Sequence, residues 1–410
     1  MGKVALVLSG GAAKGAYEAG VLLAMAEKRV HPDVIVGISS GALNGVVTSN
    51  LLASGQFTPA QVRKHLKEVW LRDVDAKNFY HCFNPMEDQD DLQTQSLQNI
   101  GIRLGIDPFE GRYMPRIGLD SLDALRKLMK GRFLGFMSSS FLQGLLEQSL
   151  HPPANVARPV KLAIGVCNLS GETSIQADDI QRSYSRYRQF SWEAGRTPGE
   201  WATMMDRLRT TAVASASFPF IFPPIRMREA GEDGLYVDGG FIENSPISQA
   251  IKLDHEVDKV FVVMAATSVP TSDSEPTTIL QYISRIFNII AGGYLSANYY
   301  KVIKANQQIV YLSQVLERDE DGNYEASTRN DLICRAAGLD GLAGFLKRRI
   351  VQIIPIFPEV PLAGDLFTGM FDRKMRERYF DQGHQDAVAV LAQKFDMSRA
   401  TQPLVLPQAM

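Results

Sequence analysis

Over the first 55 residues, short apolar runs alternate with apolar positions at helical spacing. Residues 4–8 and 34–38 are apolar runs of strand length. Helix-spaced apolar positions follow each run, first over residues 17–25 and then over 43–51. Strands that read as continuous apolar runs are buried on both faces. The pattern predicts an α/β fold with three layers, α/β/α, around a mostly parallel central sheet.

The later elements follow less regularly. Strands are predicted at residues 161–166, 235–238, 257–265, 309–312 and 350–356, and helices at 121–130, 141–150, 201–216, 279–290 and 373–394, the last interrupted at Gly383. Between residues 73 and 120 the periodicity fails, which predicts an irregular insertion. No composition shift marks a boundary, so we expect one domain over residues 1–395 and a tail at 396–410.

Composition and charge narrow the function classes. The 410 residues carry a formal net charge of −2, which gives no basic field for nucleic acid. Three cysteines are too few for a disulfide framework and favour a reducing compartment. The first apolar run ends at Ser9 and two glycines, so it predicts a buried strand and not a signal peptide. With no transmembrane segment predicted, we expect a cytoplasmic protein capable of peripheral membrane contact.

A G-x-S-x-G run lies between the second strand and the second helix. Ser39 stands between Gly37 and Gly41, in the strand–turn–helix context of a nucleophile elbow. A sharp turn brings neighbouring backbone close, so a Cβ at either flanking position would collide. The turn would hold the serine oxygen above the sheet edge, at the positive end of the following helix.

A loop of small residues joins the first strand to the first helix. Residues 9–15 read Ser-Gly-Gly-Ala-Ala-Lys-Gly, and such a loop at a helix N-terminus can bind an anion through backbone N–H groups. Beside a serine nucleophile, that anion would be the oxyanion of a tetrahedral intermediate. A phosphate loop or a simple tight turn is the alternative. Lys14 could meet an anionic substrate group, shape the loop or be a solvated surface lysine.

The residues alone leave the catalytic partner of Ser39 open. Asp238 ends a strand and precedes two glycines, which could bring it to the same sheet edge or make it a turn residue. The histidines that follow it, His255 and His384, lie in charged segments typical of surfaces. Either a Ser-Asp-His triad forms, or Asp238 accepts the serine proton directly. An ordinary aspartate is a weak base, which burial would strengthen.

Taken in order, these motifs resemble those of the patatin-like phospholipases. The similarity rests on residues 9–17, 37–42, 214–224 and 238–240, with Asn244-Ser245-Pro246 after them. It covers residues 4–50 and 205–265 well and 350–392 weakly. One departure is Ala12, where the family commonly has a third glycine; alanine is easily accommodated at negative φ and strained at positive φ.

The resemblance implies a patatin-like fold and a lipid acyl hydrolase of the phospholipase A or lysophospholipase type. It implies a dyad of Ser39 and Asp238, without a metal or cofactor, acting on membrane phospholipids or lysophospholipids. The implied oxyanion hole draws on the N–H groups of Gly10, Gly11, Ala12 and Ala13.

Two alternatives to this function stay open. One is a carboxylesterase or lipase with a Ser-Asp-His triad, and the other is a non-catalytic module that binds anionic lipid. Apolar clusters at residues 133–146 and 218–222 could line an acyl channel or a membrane rim, or could be plain core.

Overall fold

A computed structural model describes residues 2–74, 139–169, 185–219, 221–229, 232–265, 279–393 and 400–401. Within these ranges, eight strands form one sheet: β1 (Lys3–Leu8), β2 (Val34–Ile38), β3 (Val160–Asn168), β4 (Ser185–Trp192), β5 (Ile225–Glu229), β6 (Glu232–Asp238), β7 (Val257–Val263) and β8 (Gln352–Ile356). The strand order is β5-β6-β3-β2-β1-β7-β8, and β4 also pairs with β3.

The centre of the sheet is parallel and one side is antiparallel. β3, β2, β1, β7 and β8 pair in parallel, whereas β4 and β6 run antiparallel to β3 and β5 runs antiparallel to β6. The carboxyl ends of the parallel strands therefore meet at one edge, where ligands bind in open α/β sheets.

Helices cover the sheet on both sides. They are α1 (Gly15–Glu27), α2 (Ser40–Ala53), α3 (Pro59–Val62), α4 (Ser140–Ser149), α5 (Pro198–Ser215), α6 (Ile247–Leu253), α7 (Ile279–Val315), α8 (Thr328–Ala336), α9 (Gly341–Leu346), α10 (Thr368–Phe371) and α11 (Arg373–Leu391). Two π-helical turns, Arg63–Lys67 and Val69–Asp73, continue α3. None of the described helices combines the length and apolarity that a membrane crossing needs.

Alternation along the strands divides the core into two layers. In β1, Leu6 and Leu8 pack with α1, α2 and α5, whereas Ala5 and Val7 pack with α6 and α7. A side-chain period of two produces this division. The predicted three-layer α/β/α class with a mostly parallel sheet is confirmed.

Helix α1 is buried almost throughout because α11 covers it. An ideal Cβ at Gly20 would lie 2.0 Å from the carbonyl oxygen of Phe380, and one at Gly383 would lie 2.0 Å from that of Tyr17. The two backbones thus touch at paired glycines. Gly383, expected to interrupt the last helix, instead lies inside a continuous α11 and permits this contact.

The strand predicted at residues 309–312 is wrong, because these residues belong to α7. A short apolar run satisfies strand and helix patterns equally well, and only the length of the flanking helix decides. The insertion and the helix at 121–130 fall almost wholly outside the described residues, as does the tail apart from residues 400–401. The domain limits therefore remain a prediction.

Candidate active site

Ser39 stands at a strained turn between β2 and α2. Its φ of 55° and ψ of −125° lie in a region that non-glycine residues rarely occupy. The flanking glycines leave no room for a side chain: a Cβ at Gly37 would lie 2.5 Å from the Gly41 carbonyl oxygen, and one at Gly41 would lie 2.3 Å from that of Leu8. The geometry is that of a nucleophile elbow.

The sheet register brings Asp238 to the end of the strand that carries Ser39. β4 occupies one edge of β3 along residues 160–167, so β2 and β6 must share the other edge. There Ile38 of β2 pairs with Gly165, and Asp238 of β6 pairs with the next residue, Val166. The carboxyl ends of β2 and β6 therefore meet head to head, and the residues that follow or end them become neighbours.

Asp238 is a fully buried carboxylate beside the serine. Its Oδ1 accepts a hydrogen bond of 2.8 Å from the Gly240 N–H, while its Oδ2 makes no hydrogen bond of normal length. Burial raises the pKa of Asp238 from 3.8 to about 7, while the nearby Ser39 hydroxyl and the Gly240 N–H favour the charged form and limit the rise. A base with this pKa can accept a proton near neutral pH.

Aromatic rings supply the low-polarity surroundings of the carboxylate. The Phe218 ring contacts those of Phe241, Phe287 and Phe367, with centroids 4.9, 5.4 and 5.2 Å away. Phe287 also lies against Gly240, since its Cζ is 3.1 Å from where a Cβ would stand there. This cluster excludes water from the Asp238 side, which is the physical cause of the raised pKa.

The small-residue loop lies directly against Ser39, since a Cβ at Gly10 would stand 2.9 Å from the Ser39 Cβ. Several of its N–H groups already donate hydrogen bonds. Gly10 donates to Asn244 Oδ1 at 2.8 Å, Gly11 to Ser40 Oγ at 3.0 Å, and Ala13 to the Leu366 carbonyl at 3.2 Å. Within the described part of the chain, the Ala12 N–H has no such acceptor. Of the four expected donors, Ala12 is therefore the one whose N–H has no acceptor among the described residues.

Ala12 has the positive φ at which alanine is strained. Its φ is 48°, a conformation that costs an L-residue roughly 1–2 kcal/mol relative to glycine. Strain of this kind persists only where the surroundings hold it. The hydrogen bonds of the Gly11 and Ala13 N–H groups hold the two flanking peptide planes, and the Gly11 carbonyl, in the plane of the Ala12 N–H, accepts from the Lys14 N–H at 3.0 Å.

Lys14 is buried, so it is not a surface lysine. Its Nζ lies 3.5 Å from the Leu362 carbonyl oxygen. Burial lowers the pKa of Lys14 to about 8, and the nearby Asp365 carboxylate partly opposes this. The side chain thus reaches the C-terminal part of the chain.

Two site residues were missed as individual contributors by sequence reasoning. Ser215 Oγ accepts from the Ser39 N–H at 2.9 Å and donates to the Gly165 carbonyl at 2.6 Å, so it fixes the elbow to β3. Asn244 holds the Gly10 peptide through both its oxygen and its nitrogen. Both belong to segments that carry the family resemblance, but only the long-range contacts reveal what each side chain does.

Neither candidate histidine reaches the site. His384 binds the carboxylate of Glu27, the last residue of α1, at 2.7 Å. His255 is exposed in the turn before β7, at the amino end of that strand. Among the described histidines, none hydrogen-bonds Ser39 or Asp238.

An apolar cavity of about 50 Å³ opens beside Ser39. Its walls are Ala12, Ala13, Leu43, Trp70, Val74, Leu142, Ala216, Phe218, Phe222, Phe367 and Met370. A second cavity of about 30 Å³ shares Leu43, Trp70, Val74 and Leu142 with it and extends the apolar path. The described residues of both apolar clusters thus contribute walls of this path and core, whereas residues 133–138 and Phe220 lie outside the described ranges.

A larger cavity lies far from this chemistry. It measures about 800 Å³ and is open and polar, lined by Lys161, Arg196 and Arg207 among others. It sits at the amino end of β3, whereas Ser39 lies near the carboxyl end. The described residues contain no group of three or more His, Cys, Asp or Glu side chains that could hold a metal ion.

The fold and the elbow place this protein among α/β proteins that present a serine at the carboxyl edge of a mostly parallel sheet. A patatin-like phospholipase family model matches residues 6–251, and the chain belongs to that family. The family is one of lipid hydrolases, so the protein is a lipid acyl hydrolase in broad class.

Comparison with solved structures gives distant similarities. VipD from Legionella pneumophila is 15% identical with a TM-score of 0.35, covering 95% of this chain and 67% of VipD. The type III effector protein ExoU is 12% identical with a TM-score of 0.29, covering 95% of this chain and 53% of that one. Full-length ExoU from Pseudomonas aeruginosa, in complex with SpcU, is 12% identical with a TM-score of 0.22, covering 97% of this chain and 76% of that one. This chain thus spans about half of one ExoU chain. Comparison with curated proteins gives no match.

Proposed function

We propose that the protein hydrolyses carboxylic ester bonds of phospholipids or lysophospholipids through a Ser39–Asp238 dyad and an acyl-enzyme intermediate. The observation that carries this proposal is the buried Asp238 carboxylate, with its pKa near 7, beside a serine on a strained elbow. A base matched to neutral pH removes the need for a histidine.

The proposed reaction has two halves. In the first, Ser39 Oγ attacks the ester carbonyl carbon while Asp238 takes the hydroxyl proton, and the Ala12 N–H binds the developing oxyanion. The tetrahedral intermediate then expels the alcohol, which receives the proton from Asp238. In the second, water attacks the acyl-enzyme, Asp238 accepts its proton and passes it to Ser39, and the fatty acid leaves.

The apolar path beside Ser39 supports a lipid substrate. Trp70, Leu142 and Phe367 offer an acyl chain an apolar surface, and the indole N–H of Trp70 is already bonded to Asn44 at 2.7 Å. Burial of apolar area drives such binding at about 25 cal/mol per Å². A bilayer substrate requires the protein to contact a membrane peripherally. The path does not define the head group, so both phospholipids and lysophospholipids belong to the proposal.

The dyad is tested with purified Ser39→Ala and Asp238→Asn variants on a chromogenic short-chain ester. Both should lose at least about a hundredfold in turnover, the scale of a missing acid–base group. Wild-type turnover in either variant would overturn the dyad. The control variants His384→Ala and His255→Ala should keep full activity; its loss in either, with folding intact, would favour the triad.

A fluorophosphonate probe separates the enzyme from a non-catalytic binding module. Such probes phosphonylate an activated serine, so wild type should be labelled and Ser39→Ala should not. Absence of labelling in wild type, together with tight binding of anionic vesicles, would favour the binding module. Lipid mass spectrometry after incubation with mixed phospholipids identifies the substrate class.

A further inference from the structure

Residues 362–371, here called the strap, contribute to the site although they lie beyond the family-matched residues 6–251. The Leu366 carbonyl accepts the hydrogen bond of the Ala13 N–H at 3.2 Å. A Cβ at Gly369 would lie 3.0 Å from the Ala13 Cβ, and Phe367 and Met370 are walls of the apolar cavity. The strap therefore touches the small-residue loop and the cavity at once.

A fully buried arginine holds the strap from behind. Arg376 Nη1 donates to the Gly369 and Met370 carbonyls at 2.6 and 3.3 Å, and its Nη2 donates to the Leu71 carbonyl at 3.3 Å. Leu71 follows Trp70, which is another wall of the cavity. One planar guanidinium thus joins the backbones behind two walls, a geometry that its fixed donors favour.

Further contacts hold the strap along its length. The Leu366 N–H donates to Ser284 Oγ at 3.3 Å, and Lys14 reaches the Leu362 carbonyl. Asp365 Oδ1 accepts from the N–H groups of Phe367 and Thr368 at 2.8 and 2.9 Å and so closes the turn before α10. The strap is thereby tied to α7 and to the loop.

We infer that the strap positions the oxyanion loop and that Arg376 is the positioning residue that sets its place. The inference rests on the proposed function, because it assigns the Ala12 N–H to the oxyanion. Ala12 keeps its positive φ among three hydrogen bonds: Gly11 N–H donates to Ser40, the Gly11 carbonyl accepts from the Lys14 N–H, and Ala13 N–H donates to the strap. If the strap moves, the bond from Ala13 is lost and Ala12 relaxes toward negative φ, which turns its N–H away from the reacting carbonyl.

The inference is tested with Arg376→Met, which keeps an apolar stem of similar length and removes the donors. Turnover of a short-chain ester should fall about a hundredfold, the scale of a misplacement near 1 Å, while KM changes less than about threefold. Arg376→Lys should recover part of the loss. Arg373→Met is the matched control: Arg373 lies one turn earlier on α11, exposed and paired with Glu377, and this variant should behave as wild type.

Hydrogen–deuterium exchange supplies a readout that does not need activity. In Arg376→Met, amides of residues 10–15 should exchange at least tenfold faster, while those of β1 and β7 keep wild-type rates. If Arg376→Met does not fold, Asp365→Ala replaces it, because Asp365 is partly exposed and its loss opens the turn before α10. Asp365→Asn, which also removes the charge near Lys14 but keeps an oxygen for the turn, is its control. Asp365→Ala should show the same faster exchange at residues 10–15 and the same kcat-selective loss, in smaller measure.

The outcomes separate the two proposals. The strap inference alone is overturned if the wild type hydrolyses esters and Arg376→Met shows the same turnover and the same exchange. Asp365→Ala takes the place of Arg376→Met where that variant does not fold. The proposed function is overturned if the wild type neither hydrolyses esters nor reacts with the fluorophosphonate. Faster exchange at residues 10–15 in Arg376→Met would then leave the strap as a structural support of the loop.

Discussion

Replacing Asp238 by asparagine should stabilise the protein at high pH while it abolishes the proposed activity. Asparagine has nearly the same shape and keeps an oxygen for the Gly240 N–H, but it cannot ionise. In wild type, burial raises the pKa of Asp238 from 3.8 to about 7, so ionising this side chain costs more in the folded chain than in the unfolded one.

The magnitude follows from the pKa difference. About three pKa units correspond to roughly 4 kcal/mol. Because the folded pKa lies above the unfolded one, the folded state binds more protons between pH 4 and pH 7, and wild-type stability falls as the pH rises through that window. At pH 5 the wild type has lost about a third of this roughly 4 kcal/mol of unfolding free energy, and at pH 8 it has lost all of it. The advantage of Asp238→Asn should therefore grow by roughly 2–3 kcal/mol from pH 5 to pH 8.

Urea unfolding of both proteins at pH 5, 6, 7 and 8 measures this difference. The asparagine Nδ2 would stand where Asp238 Oδ2 makes no hydrogen bond of normal length. A group left unpaired there would cost about 1–3 kcal/mol at every pH. This cost shifts the difference in unfolding free energy between the two proteins by the same amount at every pH, and so it leaves the change of that difference with pH unaltered. Asp233→Asn, at an exposed carboxylate in an ion pair with Arg226, is the control. A difference between wild type and Asp238→Asn that is flat with pH, or shrinks toward pH 8, would refute a raised pKa at this site.

Three further predictions concern the same site. The kcat/KM of wild type for an uncharged ester should rise tenfold per pH unit up to about pH 7 and then level off, since only the ionised Asp238 accepts a proton; a midpoint near pH 4 would contradict a buried base. Gly37→Ala should abolish fluorophosphonate labelling and lower the free energy of unfolding by at least about 2 kcal/mol, because its Cβ would meet the Gly41 carbonyl. Ala12→Gly should keep labelling and change the free energy of unfolding by less than about 1 kcal/mol, because the relief of strain offsets the added chain entropy. Thermal unfolding and gel labelling check the pair, and equal behaviour of the two variants would be the contrary result. Phe367→Ala should shift the preferred substrate toward longer chains in a series of p-nitrophenyl esters from butyrate to laurate, since it removes a cavity wall; an unchanged profile would exclude Phe367 from the acyl path.

The sequence was sufficient for the local parts of this site. Two glycines around Ser39 predict the elbow, because the sharp turn admits only small residues at positions that are close in the sequence. The α/β class was predictable for the same reason, since strand and helix periods appear within short windows. The strand expected at residues 309–312 shows the limit of that approach, because a few apolar residues do not distinguish a strand from a helix.

The remaining features depend on contacts between distant parts of the chain. The residues around Asp238 do not predict that the carboxyl end of β6 meets that of β2, because this meeting follows from the pairing of both strands with β3. Lys14 could not be assigned from its neighbours, because the residue that it contacts, Leu362, comes late in the chain. The Ala13 N–H, next to the strained Ala12, likewise donates to a distant acceptor, Leu366, that no local pattern reveals.

The head-to-head meeting of β2 and β6 also has a consequence for biosynthesis. Ser39 lies in the first βαβα segment, whereas the strand that carries Asp238 is made much later. At roughly 5–20 residues per second, the serine leaves the ribosome roughly 10–40 s before its partner. A growing chain can therefore form the elbow while it still lacks the acid, and the ribosome-bound intermediate would hold an inert serine. If the dyad is the active unit, a lipid-degrading activity cannot arise until most of the sheet has assembled, which protects nearby membranes from unfinished chains.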